Sequence, residues 1–572
     1  MLVNSIIFWC FFALFLLPYF TLMRGSNKIQ NLWLLVASYV FYGYADWRMC
    51  ILLLIATMTF YLLGMAINKK KCKVEGVRCK EEWVRCKEDS VKSKDNSVRC
   101  KEESVRSKEE IHITHYSLLS PKGLLVLGVI LGVGLLLYFK YLNFFIEQFA
   151  ALFGLFGLRT NFSSFNIIVP IGISFFTFKL IAYIVEVYKG NMEPCKDFVT
   201  FACYIAFFPT IMSGPIDSPK LLIPQMTKAR SWQNDQVAEG LKRVLWGMFM
   251  KMCIADKVSG YTDAVFNNAY HHNATSIIVA SILYTFQIYA DFSGYSEMAI
   301  GTSQIMGFRV TENFMRPYFS QNVGDFWRRW HASLMNWFRD YIYFPLGGSR
   351  CSKARMYWNT MVVFMVSGLW HGANWTFIFW GAYHGVLVSL YKLTRSVRSK
   401  SVMCNDKSVR SNDKSVRSND KSVRSNDKSV RSNDKSVMCK DKSVRATLEQ
   451  PHKNITHYSL HLTLRKYINI VIVFALVTIG WQVFRCHSFG QFVGLWERIF
   501  TGFGPVFKSW ALMGFIPIGI LMLKEMKDEE GWNIHLLHSK KLWVQIVTFA
   551  LLAVFILYFG ELEGGSFIYF QF

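Results

Sequence analysis

The sequence lacks the motifs with which most soluble enzymes hold phosphates, metals or acyl groups. It contains no glycine-rich phosphate loop, no Gly-x-Ser-x-Gly nucleophile turn and no His-Glu-x-x-His zinc motif. Its 13 cysteines include no Cys-x-x-Cys pair with a matching second pair, so neither a zinc site nor a disulfide framework is indicated. We therefore expect reduced cysteines, no metal site and no bound cofactor.

A cleavable secretion signal is also missing from the first apolar segment. No basic residues precede this segment, and no small-x-small cleavage site follows it before Arg24. We expect it to remain in the protein as a membrane helix.

Apolar residues, in contrast, are abundant and fall in long blocks. Hydrophobic residues make up 52% of the 572 positions and aromatic residues 16%, above the usual share of soluble domains. A block of about 20 apolar residues can cross the ~30 Å hydrocarbon core of a bilayer. The sequence thus predicts an all-α polytopic membrane protein with about ten to thirteen membrane helices, some of them re-entrant. The candidate segments are 5–23, 31–45, 49–67, 123–142, 166–187, 198–212, 240–256, 276–300, 357–367, 374–392, 466–484, 508–523 and 542–560.

Basic residues predict the orientation of the first spans. Arg24 and Lys28 follow the first span, and Lys69, Lys70 and Lys71 follow the third. Cytoplasmic loops are enriched in Lys and Arg, so both clusters are placed in the cytoplasm and the N terminus outside.

The net charge of +25 does not indicate a nucleic-acid partner, because much of it lies in two low-complexity segments. Residues 69–110 and 395–445 carry net charges of +4 and +9. Both repeat every seven residues, as in Lys-Ser-Val-Arg-Ser-Asn-Asp from Lys407 to Asp434. Each heptad offers one valine where a coiled coil needs two apolar positions, so we predict disordered cytoplasmic loops, with marginal helix as the alternative. The predicted organisation is N-terminal membrane helices (1–68), a repeat loop (69–115), a core that carries the candidate site residues (116–394), a second repeat loop (395–455) and C-terminal membrane helices (456–572).

The first candidate site is an ionisable cluster, Asp325 to His331, within this membrane-like sequence. Apolar residues at three- and four-residue steps predict one helix over 325–341, with Asp325 as a cap or first-turn acid. His331 falls beside Trp327 and Leu334 on the edge of its aromatic face. Ionisable groups at membrane depth are costly and are kept when they pair or carry chemistry. The alternative is a helix that anchors the protein at the membrane interface, with a histidine that is hydrogen-bonded and has no catalytic role.

The second candidate is His371, in the stretch from Ser367 to Gly372. Gly368 and Gly372 flank Trp370 and His371, and Gly381 and Gly385 follow. Glycine permits close backbone approach, so the imidazole could lie where a hydroxyl meets an acyl donor and could accept the hydroxyl proton. A histidine hydrogen-bonded between packed helices is the alternative, and we expect His384 to be structural.

Two further stretches break the apolar pattern. Pro209 and Pro215 interrupt 208–216, as expected where backbone lines a cavity or is buried by protein. Asp291 is a single acid in an apolar run, and it could orient a histidine or an arginine or contact a substrate.

Taken in order, these blocks resemble the membrane-bound O-acyltransferase family, in its alginate O-acetylase branch. Resemblance is dense over about 165–390 and looser over 1–67 and 466–500, and the two repeats have no counterpart in the family pattern. The matching stretches are Pro170–Phe175, Phe207–Pro215, Gln287–Gly301, Glu312–Tyr318, Asp325–His331, Arg339–Gly348 and Ser367–Trp375.

The resemblance implies roles for the residues that match. The family's invariant histidine corresponds to His371, and the second histidine of this branch to His331. His371 would be the general base or hold the acyl group briefly, while His331 would orient it or protonate the leaving thiolate. Arg328 and Arg329 would attract an anionic donor, Trp327 and Trp370 would contact the donor or a tunnel, and Asp291 and Asp325 would support the site.

The resemblance also implies the setting. We expect a helical fold around a central funnel or tunnel in the bacterial cytoplasmic (inner) membrane, in contact with membrane lipid. The acetyl donor would be acetyl-CoA or a related thioester, and the acceptor an exported polysaccharide, reached with an extracytoplasmic esterase-like partner protein.

Other functions remain open at this point. Within the family, D-alanyl transfer to teichoic acid and peptidoglycan O-acetylation use the same motifs. A transporter also tolerates intramembrane histidines, although no inverted repeat of the spans is evident. A scaffold of an export complex would not need the histidines at all.

Overall fold

The part of the chain that the computed structural model describes is helical throughout. It covers residues 1–92, 120–157, 165–395, 454–532 and 539–568, apart from 2, 166, 508, 540, 562–564, 566 and 567. We number the main helices α1 (Ile6–Phe20), α2 (Asn27–Gly43), α3 (Trp47–Lys92), α4 (Pro121–Leu155), α5 (Ile173–Lys189), α6 (Phe198–Ala206), α7 (Pro219–Met226), α8 (Asn234–Met248), α9 (Asp256–Asn267), α10 (Ala274–Ile305), α11 (Val323–Arg329), α12 (Ala332–Phe338), α13 (Lys353–His371), α14 (375–395), α15 (Asn454–Arg485), α16 (Phe489–Thr501), α17 (Phe515–Glu530) and α18 (Leu542–Phe559).

Three short π-helical segments interrupt this series. They are Leu137–Tyr141 within α4, Phe249–Ala255 between α8 and α9, and Arg339–Tyr343 after α12. Such wide turns are often found at functional sites, and two of them place a lysine in the interior here.

Five helices of the described residues are long and apolar enough to cross a membrane. They are Trp47–Cys72, Pro121–Leu155, Ala274–Ile305, Thr463–Arg485 and Leu542–Phe559, and Ile6–Phe20 is apolar but shorter. The prediction of an all-α polytopic membrane protein is confirmed. Several other candidate segments form shorter helices, such as Phe198–Ala206, which is too short to cross a bilayer alone.

Helix α10 is the centre of the fold. In the most apolar 18-residue stretch of α10, 83% of the residues are buried inside the protein. The corresponding share in α18 is 6%, so α18 faces lipid. Glycines let α8 and α10 touch backbone to backbone. A Cβ on Gly301 would lie 2.5 Å from the Gly240 carbonyl oxygen, and a Cβ on Gly294 would lie 2.8 Å from that of Gly247.

The two ends of α10 lie on opposite faces of the molecule. Its C-terminal end is near the loop that carries Arg24 and Lys28, because the Tyr19 hydroxyl donates to the Met306 carbonyl at 3.4 Å. We call this side the Arg24 face. At the other end the Ala274 N–H donates to the Gly502 carbonyl at 2.9 Å, on what we call the opposite face. A helix of this length spans about 48 Å, enough to separate the two faces.

The predicted boundary of the first repeat loop is wrong in part. Helix α3 continues to Lys92, well into the segment 69–115 that we predicted as disordered. The physical reason is composition, since Lys, Glu and Arg are good helix formers and extend a helix that the membrane span has already nucleated. Residues 93–115, and nearly all of the second repeat at 395–455, lie outside the described residues.

Candidate active site

His371 is the last residue of α13, at a helix end that carries a buried cation. The Lys140 ammonium donates to the carbonyl oxygens of Trp370 at 2.7 Å and His371 at 2.8 Å, and the Tyr141 hydroxyl donates to that of Leu369 at 2.7 Å. The last carbonyls of a helix lack intrahelical partners and carry partial negative charge. Lys140 therefore fixes the backbone of His371 without using its imidazole.

Close glycine contacts hold α13 against α14, as the sequence predicted. A Cβ on Gly368 would lie 2.1 Å from the Phe377 carbonyl oxygen, and a Cβ on Gly381 would lie 2.3 Å from that of Phe364. Both neighbours are backbone atoms, which cannot rotate away. The pair of glycines thus sets the distance between the helix that ends at His371 and the helix that follows it.

We expect Gly368→Ala to displace α13 from α14 and to reduce both stability and activity. Overpacking of this kind costs about 1–3 kcal/mol, and the shift acts directly on the turn that bears His371. The matched control is Gly134→Ala in α4, where an added Cβ would meet nothing within 4 Å. The measurement is the thermal midpoint of both purified variants together with their rate of acyl transfer. Equal behaviour of the two variants would show that the close contact does not matter.

The imidazole of His371 is enclosed by aromatic side chains and is 5% exposed. Its ring centroid lies 4.9 Å from Trp370, 5.1 Å from Trp380 and 5.2 Å from Phe484, all in edge-to-face geometry. Such packing holds the ring in one orientation and excludes water.

His331 does not lie within a continuous helix, so the prediction of a single helix over 325–341 is wrong. Helix α11 ends at Arg329, Trp330 is extended, and His331 has a left-handed backbone with φ of 44°. This conformation is uncommon outside glycine and costs of order 1–3 kcal/mol. The Asn313 carbonyl compensates by accepting the Ala332 N–H at 2.9 Å, which starts α12 in a new direction.

The Asn313 side chain also fixes the tautomer of His331. Its Oδ1 lies 2.9 Å from Nδ1 of His331 and accepts from the Ser333 hydroxyl at 2.9 Å and the Ser333 N–H at 3.4 Å. Its Nδ2 donates to Ser296 Oγ at 3.0 Å. A carbonyl oxygen only accepts, so Nδ1 of His331 carries the proton and Nε2 carries a lone pair. Nε2 is buried and has no hydrogen-bond partner among the described residues.

One indole connects the two histidines. The Trp370 ring lies 6.0 Å from the His331 ring and 4.9 Å from the His371 ring, measured between centroids. His331 also packs edge-to-face on Phe292 of α10, at 4.5 Å. The fold therefore brings together two residues that are 40 positions apart, as the family resemblance implied, and places Trp370 between them. The predicted contact of His331 with Trp327 is replaced by these contacts, because the chain turns at His331.

The two arginines differ in their surroundings. Arg329 forms a bidentate pair with Glu529 at 2.9 and 3.1 Å and contacts Asp325 at 3.0 Å. Arg328 is largely exposed and pairs with Asp325 at 3.3 Å. Burial opposes the charge of Glu529, but hydrogen bonds from Arg329 and Arg316 outweigh it and hold the pKa of Glu529 below its usual value. Arg329 is thus used to join α11 to α17, and Arg328 is the better placed of the two to meet an anion.

Asp291 does not orient a histidine or an arginine. Its Oδ1 accepts from the buried Lys251 ammonium at 2.6 Å and its Oδ2 from the Ile568 N–H at 2.7 Å. Asp291 lies on the face of α10 away from His331, so a role at the histidines is not supported by its position. Asp325 is confirmed as a first-turn acid of α11, whose N-cap is Asn322.

Trp327 and His384 pack against each other on the inner side of α14. Their ring centroids are 4.9 Å apart, and Trp380 lies 5.6 Å from Trp327 and 5.1 Å from His384. His384 is fully buried, and a Cβ on Gly480 would lie 2.5 Å from its Nε2. His384 therefore fills a close contact between α14 and α15, in line with the structural role that we expected.

Sequence reasoning did not assign roles to Lys140, Lys251 or Asn313. The two lysines carried a signal, since each is a lone charge in an apolar segment, and such residues mark functional or buried sites. Asn313 carried no signal of its own, because its importance comes from a partner 18 residues further along the chain. The described residues contain no group of three His, Cys, Asp or Glu side chains that could hold a metal ion.

Comparison with known proteins gives one family and several related activities. Residues 195–412 match the model of the membrane-bound O-acyltransferase family. The chain is 36% identical over 394 residues to the probable alginate O-acetylase of Azotobacter vinelandii, covering 68% of this chain and 68% of that protein. It is 36% identical over 294 residues to the peptidoglycan O-acetyltransferase of Helicobacter pylori, covering 47% and 55% of the two chains. It is 33% identical over 237 residues to the teichoic acid D-alanyltransferase of Bacillus subtilis, covering 40% and 60%.

The match to the alginate-type relatives does not extend over their whole length. Across four of them the matched part makes up 65–70% of the relative.

Proposed function

Since the chain belongs to the membrane-bound O-acyltransferase family, we propose that it is an O-acetyltransferase of an exported polysaccharide. The acetyl group comes from a thioester, acetyl-CoA or a related donor, on the cytoplasmic side of the bacterial inner membrane. An extracytoplasmic esterase-like partner protein then passes the acetyl group to the polymer. The observation that carries the proposal is the pair of buried histidines on either side of Trp370, one of which presents an unprotonated nitrogen.

Within this chain the chemistry is one acyl transfer, to a hydroxyl of the partner protein, in which the proton of that hydroxyl passes through an imidazole. His371 accepts the hydroxyl proton while the hydroxyl oxygen attacks the thioester carbonyl carbon. The carbon–sulfur bond then breaks, and the proton on His371 passes to the leaving thiolate. Atoms and charges balance, and the histidine returns to its neutral form.

The tautomer of His331 favours one of its two predicted roles. With Nδ1–H donated to Asn313, Nε2 accepts hydrogen bonds and has no proton to give to a thiolate. We therefore assign to His331 the other predicted role, that of orienting His371, whose ring lies on the other side of Trp370. The donor enters from the Arg24 face, where the exposed Arg328 can attract its phosphates.

The test is the acyl content of the surface glycan in cells with and without the chain. We expect base-labile acetate to disappear when the gene is deleted and to return when it is restored, because this chain is proposed to supply the acetyl group. Wall teichoic acid should keep its D-alanyl esters and peptidoglycan its acetyl groups. Loss of D-alanyl esters instead would identify the activity named for the Bacillus subtilis relative, and loss of peptidoglycan acetate that of the Helicobacter pylori relative.

A further inference from the structure

A polar cavity lies on the side of α10 that carries Gln287 and Asp291, apart from the histidines. It has a volume of about 300 Å³ and is lined by the end of α15, by α9 and by the face of α10 that carries Gln287 and Asp291. Phe292, on the other side of α10, packs against His331 at 4.5 Å, so the helix separates this cavity from the candidate active site. The mouth is formed by the exposed residues Asn267 and His487, and the floor is buried.

One carboxylate oxygen on the floor has no hydrogen-bond partner in the part of the chain that the structure describes. The Lys251 ammonium donates to Asp291 Oδ1 at 2.6 Å, Asp256 Oδ1 at 2.8 Å and the Gly565 carbonyl at 3.3 Å, which uses its three protons. The Asp256 side chain is 5% exposed, and its Oδ2 has no hydrogen bond among the described residues. A buried oxygen of this kind costs about 1–3 kcal/mol when it is left unsatisfied, so it indicates an occupant that donates a hydrogen bond.

A cationic side chain, Arg485, lines the same cavity. The Arg485 guanidinium is held by Asp263 at 2.7 Å and by the Asn267 side-chain oxygen at 3.2 Å, and it lines the same space as Asp256. The guanidinium disfavours a simple cation, and the carboxylate oxygen disfavours an anion. A neutral ligand whose hydroxyl groups both donate and accept suits both groups. The volume is at the lower end of the range of about 300–1,000 Å³ for small-molecule sites and suits one sugar ring.

The mouth lies on the opposite face, close to the loop after His371. Phe484, which packs on His371 at 5.2 Å, precedes Arg485, and the Asn374 side chain donates to the His487 carbonyl at 3.0 Å. If the Arg24 face is cytoplasmic, this mouth opens to the outside, where an exported polymer is found. We propose that the cavity binds a neutral sugar unit of the acceptor glycan, an inference that rests on the proposed function.

Binding of cellotetraose to the full-length protein tests the proposal. The protein is held in lipid nanodiscs, because sugar-headed detergents would compete, and binding is measured by saturation-transfer NMR and titration. Asp256→Asn turns the free acceptor into a donor, and we expect affinity to fall at least about tenfold, which corresponds to ~1.4 kcal/mol. The matched control is Asp528→Asn, the same change in an ion pair with Lys524 away from the cavity, with affinity expected to be unchanged.

A second variant covers the case in which Asp256→Asn does not fold. His487→Ala changes an exposed residue of the mouth whose Nε2 lies 3.4 Å from Arg485 Nη1, and we expect it to weaken cellotetraose binding several-fold. Absence of cellotetraose binding by the wild-type protein overturns the proposal, as does equal binding by all variants. Binding of an oligouronate or of free D-alanine in place of the neutral sugar also overturns it. In parallel, cleavage of the thioester donor is measured without sugar in the wild-type protein and in a His371 variant. If the wild-type protein cleaves no thioester, the proposed function fails, whatever the result of the sugar titration.

Discussion

His371→Ala is expected to abolish acetyl transfer while the protein remains in the membrane at normal abundance. General base catalysis contributes about 10²–10⁴-fold, and removing the imidazole also opens space for water beside the thioester. The fold should tolerate the change because Lys140 and the two glycine contacts hold the backbone of this turn, not its side chain. The measurement is transfer of radiolabelled acetate from acetyl-CoA in inverted membrane vesicles, normalised to the amount of folded protein.

His384→Gln is the matched control for this substitution. His384 is as deeply buried as His371 and also packs on Trp380, at 5.1 Å, but it fills a contact between α14 and α15. We expect this variant to lose stability and to keep its activity per folded molecule. Full activity of the His371 variant would end the catalytic assignment and would favour a scaffold in an export complex, for which the histidines are dispensable.

The sequence predicted those parts of the site that depend on local pattern. The glycines around His371 indicated close backbone approach. The structure shows it at Gly368 and Gly381, whereas Gly372 makes room for the ring of Phe377. The apolar blocks likewise predicted where helices lie, because an apolar segment is removed from water whichever residues or lipids it packs against. The convergence of His331 and His371 followed from the resemblance and not from their spacing.

The parts that failed depend on contacts between distant residues. Periodicity over 325–341 continues smoothly across His331, and nothing local shows that Asn313 will hold that residue in a left-handed conformation. We expected Asp291 to orient a histidine or an arginine or to contact a substrate, and its actual partner is a lysine. Lys251, 40 residues before it, lies on the helix that glycines bring against α10. A charge in an apolar segment predicts that a partner exists, but not which one.

Asn313→Leu is expected to lower kcat by about 10–100-fold with little change in the KM for the donor. Loss of a residue that fixes the orientation of a functional histidine typically has this size of effect. Leucine has a similar volume but accepts no hydrogen bond. The His331 ring is then free to change tautomer and loses the fixed lone pair on Nε2 with which it orients His371. Asn313→Asp restores the acceptor and should recover much of the activity. The measurement is steady-state acetyl transfer over a range of acetyl-CoA concentrations.

Asn359→Leu provides the comparison that separates positioning from stability. Asn359 is equally buried, and its side chain donates to the carbonyls of Leu346 and Gly348 at 3.1 and 3.2 Å, in the turn before α13. Its loss should reduce the yield of folded protein without lowering kcat. The decisive experiment combines Asn313→Leu with His331→Gln. If Asn313 acts through His331, its removal has no further effect on kcat in that background, because coupled residues are not additive. An undiminished effect of Asn313→Leu there would mean that this residue serves the reaction by another route, and the orienting role of His331 would lose its structural basis.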